Sequence, residues 1–361
     1  MNKKNNNNNN WLDNKINSLS KLGRYTKPEK VEGALKLDSN ENFALDKEFI
    51  ASITAEAARQ VDVREYPLDQ LEQLYVRLAK YCGVSEKCIA AGNGSDQLIE
   101  LLLSTLENKR ATVFTPTFSY FINRCELHGI KVDRVPLKKD FELDSKAFMR
   151  SAKKSDLVYI CSPNNPTGNQ LRREAIIDVI NSLNNRLILL DEAYVDFADY
   201  SLSLDATKYA NVIVLRTLSK AFGLAGARVG YMVANEKFVS LFRSTIQSPY
   251  PISTVSLAIA SSVLDHADHV KMTIETIRKE RERVAGRLAR INGLKAFKSD
   301  SNFIFIEAGS NYQIISKTLA DNRIIVKMLG NIAAHKGCMR VTIGTREMND
   351  MFLQCVERTL L

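Results

Sequence analysis

The sequence has few of the residues that bind metals. It contains only 4 histidines and 6 cysteines in 361 residues. No pair of cysteines combines metal-ligand spacing with nearby histidines, so we predict no metal site. Scattered cysteines are typical of reduced thiols in a cytosolic protein, which predicts a cytoplasmic location. The cysteines are Cys82, Cys88, Cys125, Cys161, Cys338 and Cys355.

Long apolar runs are also missing. No stretch approaches the roughly 18 consecutive apolar residues of a membrane-spanning helix, so no membrane partner is expected. The N-terminus, with its asparagine run at residues 5–10, lacks the apolar segment of a signal peptide. Residues 1–10 are therefore predicted to be a disordered, low-complexity tail.

No block of a single charge marks a nucleic-acid surface. The formal net charge is +9, but the most basic stretch, 271–290, also carries Glu275, Glu280 and Glu282. Such mixing is typical of a solvated helix face. We therefore predict small-molecule substrates and no nucleic acid, with a modest positive field that could steer an anionic substrate.

Short, continuously apolar runs are the main structural signal. Because they do not alternate with polar residues, they indicate strands buried on both faces, as in a parallel sheet. The stretches between them are long enough for crossover helices, so the fold class is α/β with a mostly parallel sheet. The runs are Ala111–Phe114, Leu157–Cys161, Leu187–Leu190 and Val212–Leu215.

The C-terminal third has a different pattern. Residues 252–291 are predicted to be helical and to link two domains. Three strand-like runs follow, separated by helical sequence, which indicates a smaller α/β domain. They are Phe303–Ile306, Ile324–Val326 and Met339–Ile343. The predicted organisation is a tail at 1–10, an N-terminal arm with a short amphipathic helix at 11–45, a large domain at 46–250 and a small domain at 251–361.

A lysine follows the last of the first four runs. Lys220 lies after Val212–Leu215 in a loop rich in small residues. Small residues allow backbone and ligand to approach closely, and lysine forms Schiff bases with carbonyl cofactors. A lone lysine is more often a solvated surface charge, so this interpretation depends on its neighbours.

Polar residues follow two other runs. Asp191 comes directly after Leu187–Leu190, and Tyr194 follows in the same loop. Because ligands gather at the carboxyl ends of parallel strands, both are expected to face the crevice. The alternative for Asp191 is a helix cap or a loop acid. Asn165 lies in the proline-rich turn after Leu157–Cys161 and faces the same edge.

A glycine-containing segment opens a predicted helix. Gly94, Ser95 and Asp96 precede an apolar helical stretch, and free backbone N–H groups at a helix start bind phosphate. The alternative is a glycine turn capped by Ser95 or Asp96. A dinucleotide-binding fingerprint is excluded because Gln97 stands at its third glycine position.

Together these loops supply what a pyridine aldehyde phosphate requires. Lys220 would form the Schiff base, and Asp191 would pair with the ring nitrogen. Phe118 would stack on the ring, unless it belongs to the core, while Tyr194 and Asn165 would bond the ring hydroxyl. The sequence thus predicts pyridoxal 5′-phosphate as cofactor, with Lys220, Asp191 and Tyr194 as catalytic residues. The predicted phosphate contacts are Gly94, Ser95, Ser219 and Arg228, with Asp96 and Thr217 beside them.

The chain resembles class II aminotransferases of the fold type I group from about Leu37 to Arg346. The resemblance implies a large domain with a mostly parallel sheet, a smaller C-terminal α/β domain, and a homodimer with sites at the subunit interface. It also implies that Tyr66 reaches the cofactor phosphate of the other subunit. The motifs that carry it are 37–42, 64–67, 162–168, 191–194, 216–230, 249–251 and 340–346.

The resemblance also implies a substrate pocket. Arg340 would bind a substrate carboxylate, and Asn40, Tyr25, Asn302 and Arg346 would line the pocket. Phe118 replaces a tyrosine found in some relatives, which keeps the stacking but loses a hydroxyl, and Gln97 replaces a common acid.

The subfamily that matches best transaminates L-histidinol phosphate with 2-oxoglutarate in histidine biosynthesis. Two alternatives on the same scaffold stay open, an amino-acid-phosphate decarboxylase and an aromatic or other amino-acid aminotransferase. A cofactor-sensing regulator is disfavoured because the segment before Leu37 is too short for a DNA-binding module.

Overall fold

The computed structural model describes residues 9–21, 31–105, 107 and 109–360. Residues 1–8 of the asparagine-rich tail and the candidate pocket residue Tyr25 lie outside these ranges. The first helix, α1, spans Asn9–Leu19. No helix of the described chain is long and apolar enough to cross a membrane.

Seven strands of the described chain form one sheet. The five strands within residues 110–217 run parallel, whereas the strand that follows them in the chain is antiparallel to both of its neighbours. The prediction of a mostly parallel sheet is confirmed. In spatial order the strands are β2 (Ile89–Asn93), β8 (Val229–Ala234), β7 (Val212–Thr217), β6 (Leu187–Asp191), β5 (Leu157–Cys161), β3 (Arg110–Thr115) and β4 (Lys131–Pro136).

The four predicted apolar runs correspond to β3, β5, β6 and β7. Strands β5 and β7 are buried along their whole length, as expected for strands covered on both faces. Strand β2 contains a further short apolar run, Ile89–Ala91, which precedes the predicted glycine-containing segment. The other two strands of this sheet were not predicted. Strand β4 lies at the sheet edge and carries polar residues, and β8 begins directly after the glycine-rich loop that contains Lys220.

Helices connect these strands and pack on the sheet. Helix α4 packs on β2, β7 and β8, and α6 packs on β3 and β4. The helices are α2 (Lys47–Arg59), α3 (Gln70–Cys82), α4 (Gly94–Thr105), α5 (Ser119–Leu127), α6 (Ser145–Ala152), α7 (Arg173–Ser182), α8 (Ser203–Ala206) and α9 (Glu236–Leu241), which continues into a π-helical turn at Phe242–Ile246.

The predicted helical region at 252–291 consists of two helices, α10 (Thr254–Asp265) and α11 (Ala267–Leu288), which meet at His266. Helix α10 packs against α2 and α3, and α11 packs against the C-terminal helix α13 (Arg346–Leu360). The predicted domain boundary at 250/251 stays a prediction.

A second sheet contains the three predicted C-terminal strands. Its order is β1 (Leu35–Leu37), β11 (Ile324–Ile332), β12 (His335–Thr342), β10 (Phe303–Glu307) and β9 (Lys295–Ala296). Strand β1, from the predicted N-terminal arm, pairs parallel with β11. Helix α12 (Tyr312–Asp321) separates β10 from β11.

The prediction that helical sequence also separates β11 from β12 is wrong. These two strands form an antiparallel hairpin, joined by Ala333 and Ala334. Both strands extend well beyond their apolar runs, because their outer residues pair through backbone hydrogen bonds that do not require apolar side chains.

The strand register brings the predicted chemical residues to one edge. Cys161 of β5 lies opposite Asp191 of β6, which lies opposite Leu215 of β7. The loops that follow these strands therefore begin side by side at the carboxyl edge of the sheet, where α/β proteins bind ligands.

Candidate active site

Lys220 lies in the loop after β7, and its side chain points into the protein. Its Nζ donates a hydrogen bond to the Ser39 carbonyl oxygen at 2.8 Å and lies 5.7 Å from the centre of the Tyr194 ring. Burial, reinforced by the positive charge of Arg340, lowers the pKa of Lys220 from 10.5 to about 8. A substantial fraction of this amine is therefore neutral and nucleophilic near pH 8.

Asp191 ends β6 and is almost completely buried, with 3% of its surface exposed. Its carboxylate accepts hydrogen bonds from the Tyr159 hydroxyl at 2.6 Å and from the Ala193 N–H at 3.0 Å. Burial raises the pKa of Asp191, and the Tyr159 hydrogen bond opposes that shift. A cationic ligand group beside this carboxylate would favour its ionised form.

Tyr194 stands beside Lys220 and is held by two asparagines. Its hydroxyl oxygen accepts hydrogen bonds from Asn40 Nδ2 at 2.9 Å and from Asn165 Nδ2 at 3.4 Å. Burial raises the pKa of Tyr194 to about 12, so the hydroxyl keeps its proton at neutral pH. The tyrosine can thus donate a hydrogen bond to an acceptor on a bound ligand.

The start of α4 lies beside Arg228. Gly94, the first residue of α4, has a φ of +80°, and a Cβ there would lie 2.6 Å from Arg228 Nη2. Gly230 of β8 allows the helix start to approach, since a Cβ at that position would lie 2.0 Å from the Ser95 nitrogen. The N–H groups of the first helical turn and the guanidinium thus form a cradle for an anion.

The other predicted cofactor-binding residues of these two segments are Asp96, Thr217 and Ser219. Arg228 Nη2 lies 3.1 Å from Asp96 Oδ2, and the Thr217 hydroxyl accepts a hydrogen bond from the Ser219 N–H at 3.1 Å. The Ser219 hydroxyl is buried and makes no hydrogen bond with any described residue. A buried hydroxyl without a partner costs free energy, which a phosphate oxygen would offset.

Arg340 belongs to β12 of the second sheet and contacts the loop after β5. Its Nη1 donates to Asn165 Oδ1 at 2.5 Å, and its Nη2 donates to the Asp38 carbonyl oxygen at 2.6 Å. The guanidinium lies 5.2 Å from the centre of the Phe303 ring. A buried guanidinium in this position can bind a carboxylate or phosphate through paired hydrogen bonds.

Asn40 and Asn302 connect the second sheet to this group. Asn302 Nδ2 donates to the Asn40 carbonyl oxygen at 3.0 Å, and the Asn40 N–H donates to the Thr342 hydroxyl at 3.0 Å. Asn40 has a left-handed φ of +57°, a region that asparagine tolerates better than most residues. This conformation allows its side-chain amide to reach Tyr194.

Comparison with known proteins identifies the family. The sequence profile described as aminotransferase class I and II matches residues 32–356. The chain belongs to this family. It is 37% identical over 344 residues to histidinol-phosphate aminotransferase of Thermococcus gammatolerans, covering 94% of this chain and 96% of that protein. It is 35% identical over 334 residues to histidinol-phosphate aminotransferase of Pyrococcus furiosus, covering 91% and 94%.

The fold agrees with solved structures of this family. The chain superimposes on histidinol-phosphate aminotransferase from Sinorhizobium meliloti in complex with pyridoxal-5'-phosphate with a TM-score of 0.81 and 25% identity, covering 90% of each chain. The predicted resemblance to fold type I aminotransferases is confirmed.

Two other predicted site residues of this aminotransferase, Phe118 and Arg346, contact different neighbours. Phe118 is half-buried directly before α5, with its ring 5.7 Å from that of Tyr120. Arg346 begins α13 with 66% of its side chain exposed and lies 3.6 Å from Glu280 of α11. The structure thus directs Arg346 toward an acid on a neighbouring helix, and its predicted role in the pocket stays a prediction.

Tyr66 lies at the protein surface. It is 72% exposed, and its ring stacks on that of Tyr250 at 4.5 Å. Both rings line a cleft of about 790 Å³ that also includes Arg228. Tyr66 therefore shares a cavity with one member of the anion cradle.

Sequence reasoning missed several residues of the site. Tyr159 lies within the predicted run of β5 and was counted as core, although its hydroxyl required a polar partner. Ser39 takes part through its backbone oxygen, for which side-chain chemistry gives no signal. Asn164 holds the loop after β5 by accepting from the Thr117 hydroxyl at 2.9 Å and donating to the Pro116 carbonyl oxygen at 3.0 Å.

Proposed function

We propose that this protein is a pyridoxal-phosphate-dependent aminotransferase that transfers the amino group of L-histidinol phosphate to 2-oxoglutarate in histidine biosynthesis. The observation that carries the proposal is the buried Lys220 amine, with its pKa lowered to about 8, between the anion cradle and Arg340. The relatives that match most of the chain are histidinol-phosphate aminotransferases, which supports the choice of substrate.

The residues present fit pyridoxal 5′-phosphate. The start of α4, the buried Ser219 hydroxyl and Arg228 would hold the phosphate, and Asp191 would hold the ring nitrogen. Tyr194 and Asn165 would bond the ring hydroxyl. When bound, the cofactor supplies an aldehyde that links covalently to amines and an electron-withdrawing ring that stabilises negative charge on the substrate α-carbon.

The chain's own residues perform the remaining tasks. Lys220 would hold the aldehyde in the resting enzyme and, once released, would take a proton from the substrate α-carbon as general base and return it as general acid to the carbon on the other side of the transferred nitrogen. Asp191 keeps the ring nitrogen protonated. Tyr194 donates its phenolic hydrogen bond without losing its proton, because burial raises its pKa to about 12.

The two substrates place different demands on one pocket. L-Histidinol phosphate carries a phosphate but no α-carboxylate, whereas 2-oxoglutarate carries carboxylates only. An arginine suits both groups because its planar fork binds either in a bidentate manner. Arg340 would take this role, supported by its contact with the Asp38 carbonyl oxygen beside Asn40, which Asn302 also contacts.

A homodimer is part of the proposal. Exposed apolar side chains surround the cleft that contains Arg228, and an apolar surface of this kind is typical of an interface. They include Val63 at 72%, Tyr66 at 72% and Leu68 at 80% exposure. In a dimer Tyr66 would reach the phosphate held by the other subunit.

Mixing inactive Lys220→Ala subunits with inactive Tyr66→Ala subunits should then restore activity in hybrid dimers. Full activity of a dilute monomer would contradict the proposed homodimer.

The substrate is tested in one half-reaction. L-Histidinol phosphate alone should convert the bound cofactor to its pyridoxamine form, as followed by absorbance, and 2-oxoglutarate should reverse the change. No conversion, together with carbon dioxide release from a phosphorylated amino acid, would assign the protein to the decarboxylases instead.

A further inference from the structure

Residues Asp38–Asn42, here called the strap, follow β1 and contact the site at successive positions. The Asp38 carbonyl oxygen accepts from Arg340, and the Ser39 carbonyl oxygen accepts from the Lys220 amine. The Asn40 amide donates to Tyr194. The strap therefore contacts three site residues. It accepts from Lys220 and Arg340 through backbone oxygens, and it donates to Tyr194 through a side chain.

Asn42 attaches this strap to the loop that carries Lys220. The side chain is buried, and its Nδ2 donates to the Ala221 carbonyl oxygen at 2.7 Å. Its Oδ1 accepts from the Ala44 N–H at 3.0 Å. Beyond it, Leu45 packs on the same loop, where a Cβ at Gly223 would lie 2.9 Å from Leu45 Cδ1.

We propose that Asn42 is a positioning residue for Lys220. Its amide fixes the strap on the lysine loop, so that the Ser39 carbonyl holds the lysine amine in place and away from water. The purpose of this contact rests on the proposed function, in which Lys220 must be released and must return in every half-reaction. A lysine has a flexible four-carbon stem, and a fixed acceptor limits where its amine can go.

The electrostatics of Lys220 give this idea a measurable consequence. Burial is the largest cause of its lowered pKa, so loosening the strap should admit water and raise the pKa toward 10.5. The charged groups that also act on the amine are Arg340 of β12, Glu41 of the strap, Asp96 of α4 and Arg228 of the lysine loop.

A matched control exists in the same chain. Asn235, directly before α9, accepts from the Lys237 N–H at 3.0 Å and donates to the Thr207 carbonyl oxygen at 3.2 Å. Asn235→Ala therefore removes the same two kinds of hydrogen bond as Asn42→Ala, at a position outside the candidate site. The full-length protein, freed of cofactor, would be acetylated with acetic anhydride across a pH series, and mass spectrometry would give the midpoint for the Lys220 peptide.

The wild type and Asn235→Ala should give a midpoint near 8, and Asn42→Ala should raise it by about one unit or more. The midpoints of the three proteins should rank in the same order with pyridoxamine 5′-phosphate bound, because this form of the cofactor leaves the lysine amine free. A midpoint in Asn42→Ala equal to that of the wild type, or an equal shift in both variants, would overturn the proposal.

A second variant covers the case in which Asn42→Ala does not fold. In Asn42→Ser the hydroxyl can still accept from the Ala44 N–H but is too short to reach Ala221, so the midpoint should rise as well, and an unchanged midpoint would again overturn the proposal. The labelling needs no substrate. Failure to convert L-histidinol phosphate would therefore remove the proposed function without affecting this result.

Discussion

The proposed cofactor side and the proposed substrate side of the site are built in different ways. Asp191, Tyr194 and Lys220 lie in two loops that leave adjacent parallel strands of one sheet. Arg340 belongs to the second sheet, and Asn302 lies in the segment beside it. Both contact the strap, which is more than 260 residues away in the sequence. Asn302 and Asn40, for example, are 262 residues apart. The cofactor side is thus fixed by one sheet, whereas the substrate side depends on contacts between two.

This difference predicts different consequences of mutation. Changes on the cofactor side should mainly lower kcat, because they affect proton transfer and charge stabilisation. Changes on the substrate side should mainly raise KM, because they affect the binding of anionic groups. The predictions below run from the largest expected effect to the smallest.

Lys220→Ala should lower kcat by at least about 10⁴-fold, since it removes both the covalent attachment and the acid–base group. The measurement is steady-state turnover with L-histidinol phosphate and 2-oxoglutarate. Lys237→Ala, on the exposed face of α9, is the control and should turn over normally. Turnover of Lys220→Ala within tenfold of the wild type would remove this lysine from the mechanism.

Asp191→Asn should lower kcat by about 10²- to 10³-fold and leave the cofactor bound, because the ring nitrogen loses its charged partner while the phosphate contacts remain. Tyr159→Phe removes the hydrogen bond to Asp191 but leaves the charge of Asp191 in place, and its effect should be about tenfold or less. Cofactor absorbance measures whether the cofactor stays bound, and steady-state turnover measures kcat. Equal losses in both variants would mean that Asp191 acts through packing and not through charge.

On the substrate side, Arg340→Lys should raise KM for 2-oxoglutarate and reduce kcat/KM by about 10- to 100-fold, because the ammonium cannot replace the guanidinium fork. Arg346→Ala should change kcat/KM by about threefold or less, since most of its side chain is exposed. A larger effect of Arg346→Ala than of Arg340→Lys would exchange their roles and contradict the geometry described above.

The smallest effect concerns stability. Because Lys220 has a pKa near 8 in the folded protein and near its ordinary value when unfolded, the unfolded chain binds more protons between about pH 8 and 10.4. Stability contributed by this group therefore rises with pH across that window. Lys220→Met should stabilise the cofactor-free protein by about 1–3 kcal/mol at pH 7, with the gain shrinking above pH 8. Urea unfolding at several pH values measures the gain in the free energy of unfolding. A gain that does not change with pH would contradict this prediction.

The same comparison explains what the sequence could predict. Buried parallel strands are continuous apolar runs, and the residues after them must lie at one edge, so Asp191, Asn165 and Lys220 could be placed without coordinates. The hairpin of β11 and β12 was missed because the residues that join the two apolar runs pair through the backbone without a distinct apolar pattern. Strand β8 is buried along its whole length, but no crossover helix separates it from β7, so the pattern of parallel strands did not reveal it.

The substrate side could be named only through the family resemblance. No local pattern joins Arg340 to Asp38 or Asn40 to Tyr194, since these contacts depend on how the second sheet meets the first. The Ser39 carbonyl could not be predicted at all, because every residue carries one and only the fold decides which of them meets Lys220.

The assignment of Lys220 as the cofactor lysine is tested most directly by borohydride reduction of the purified protein, followed by digestion and peptide mass spectrometry. The structure predicts one pyridoxyl group per chain, on the peptide that contains Lys220. A pyridoxyl group on any other lysine, with the Lys220 peptide unmodified, would contradict it.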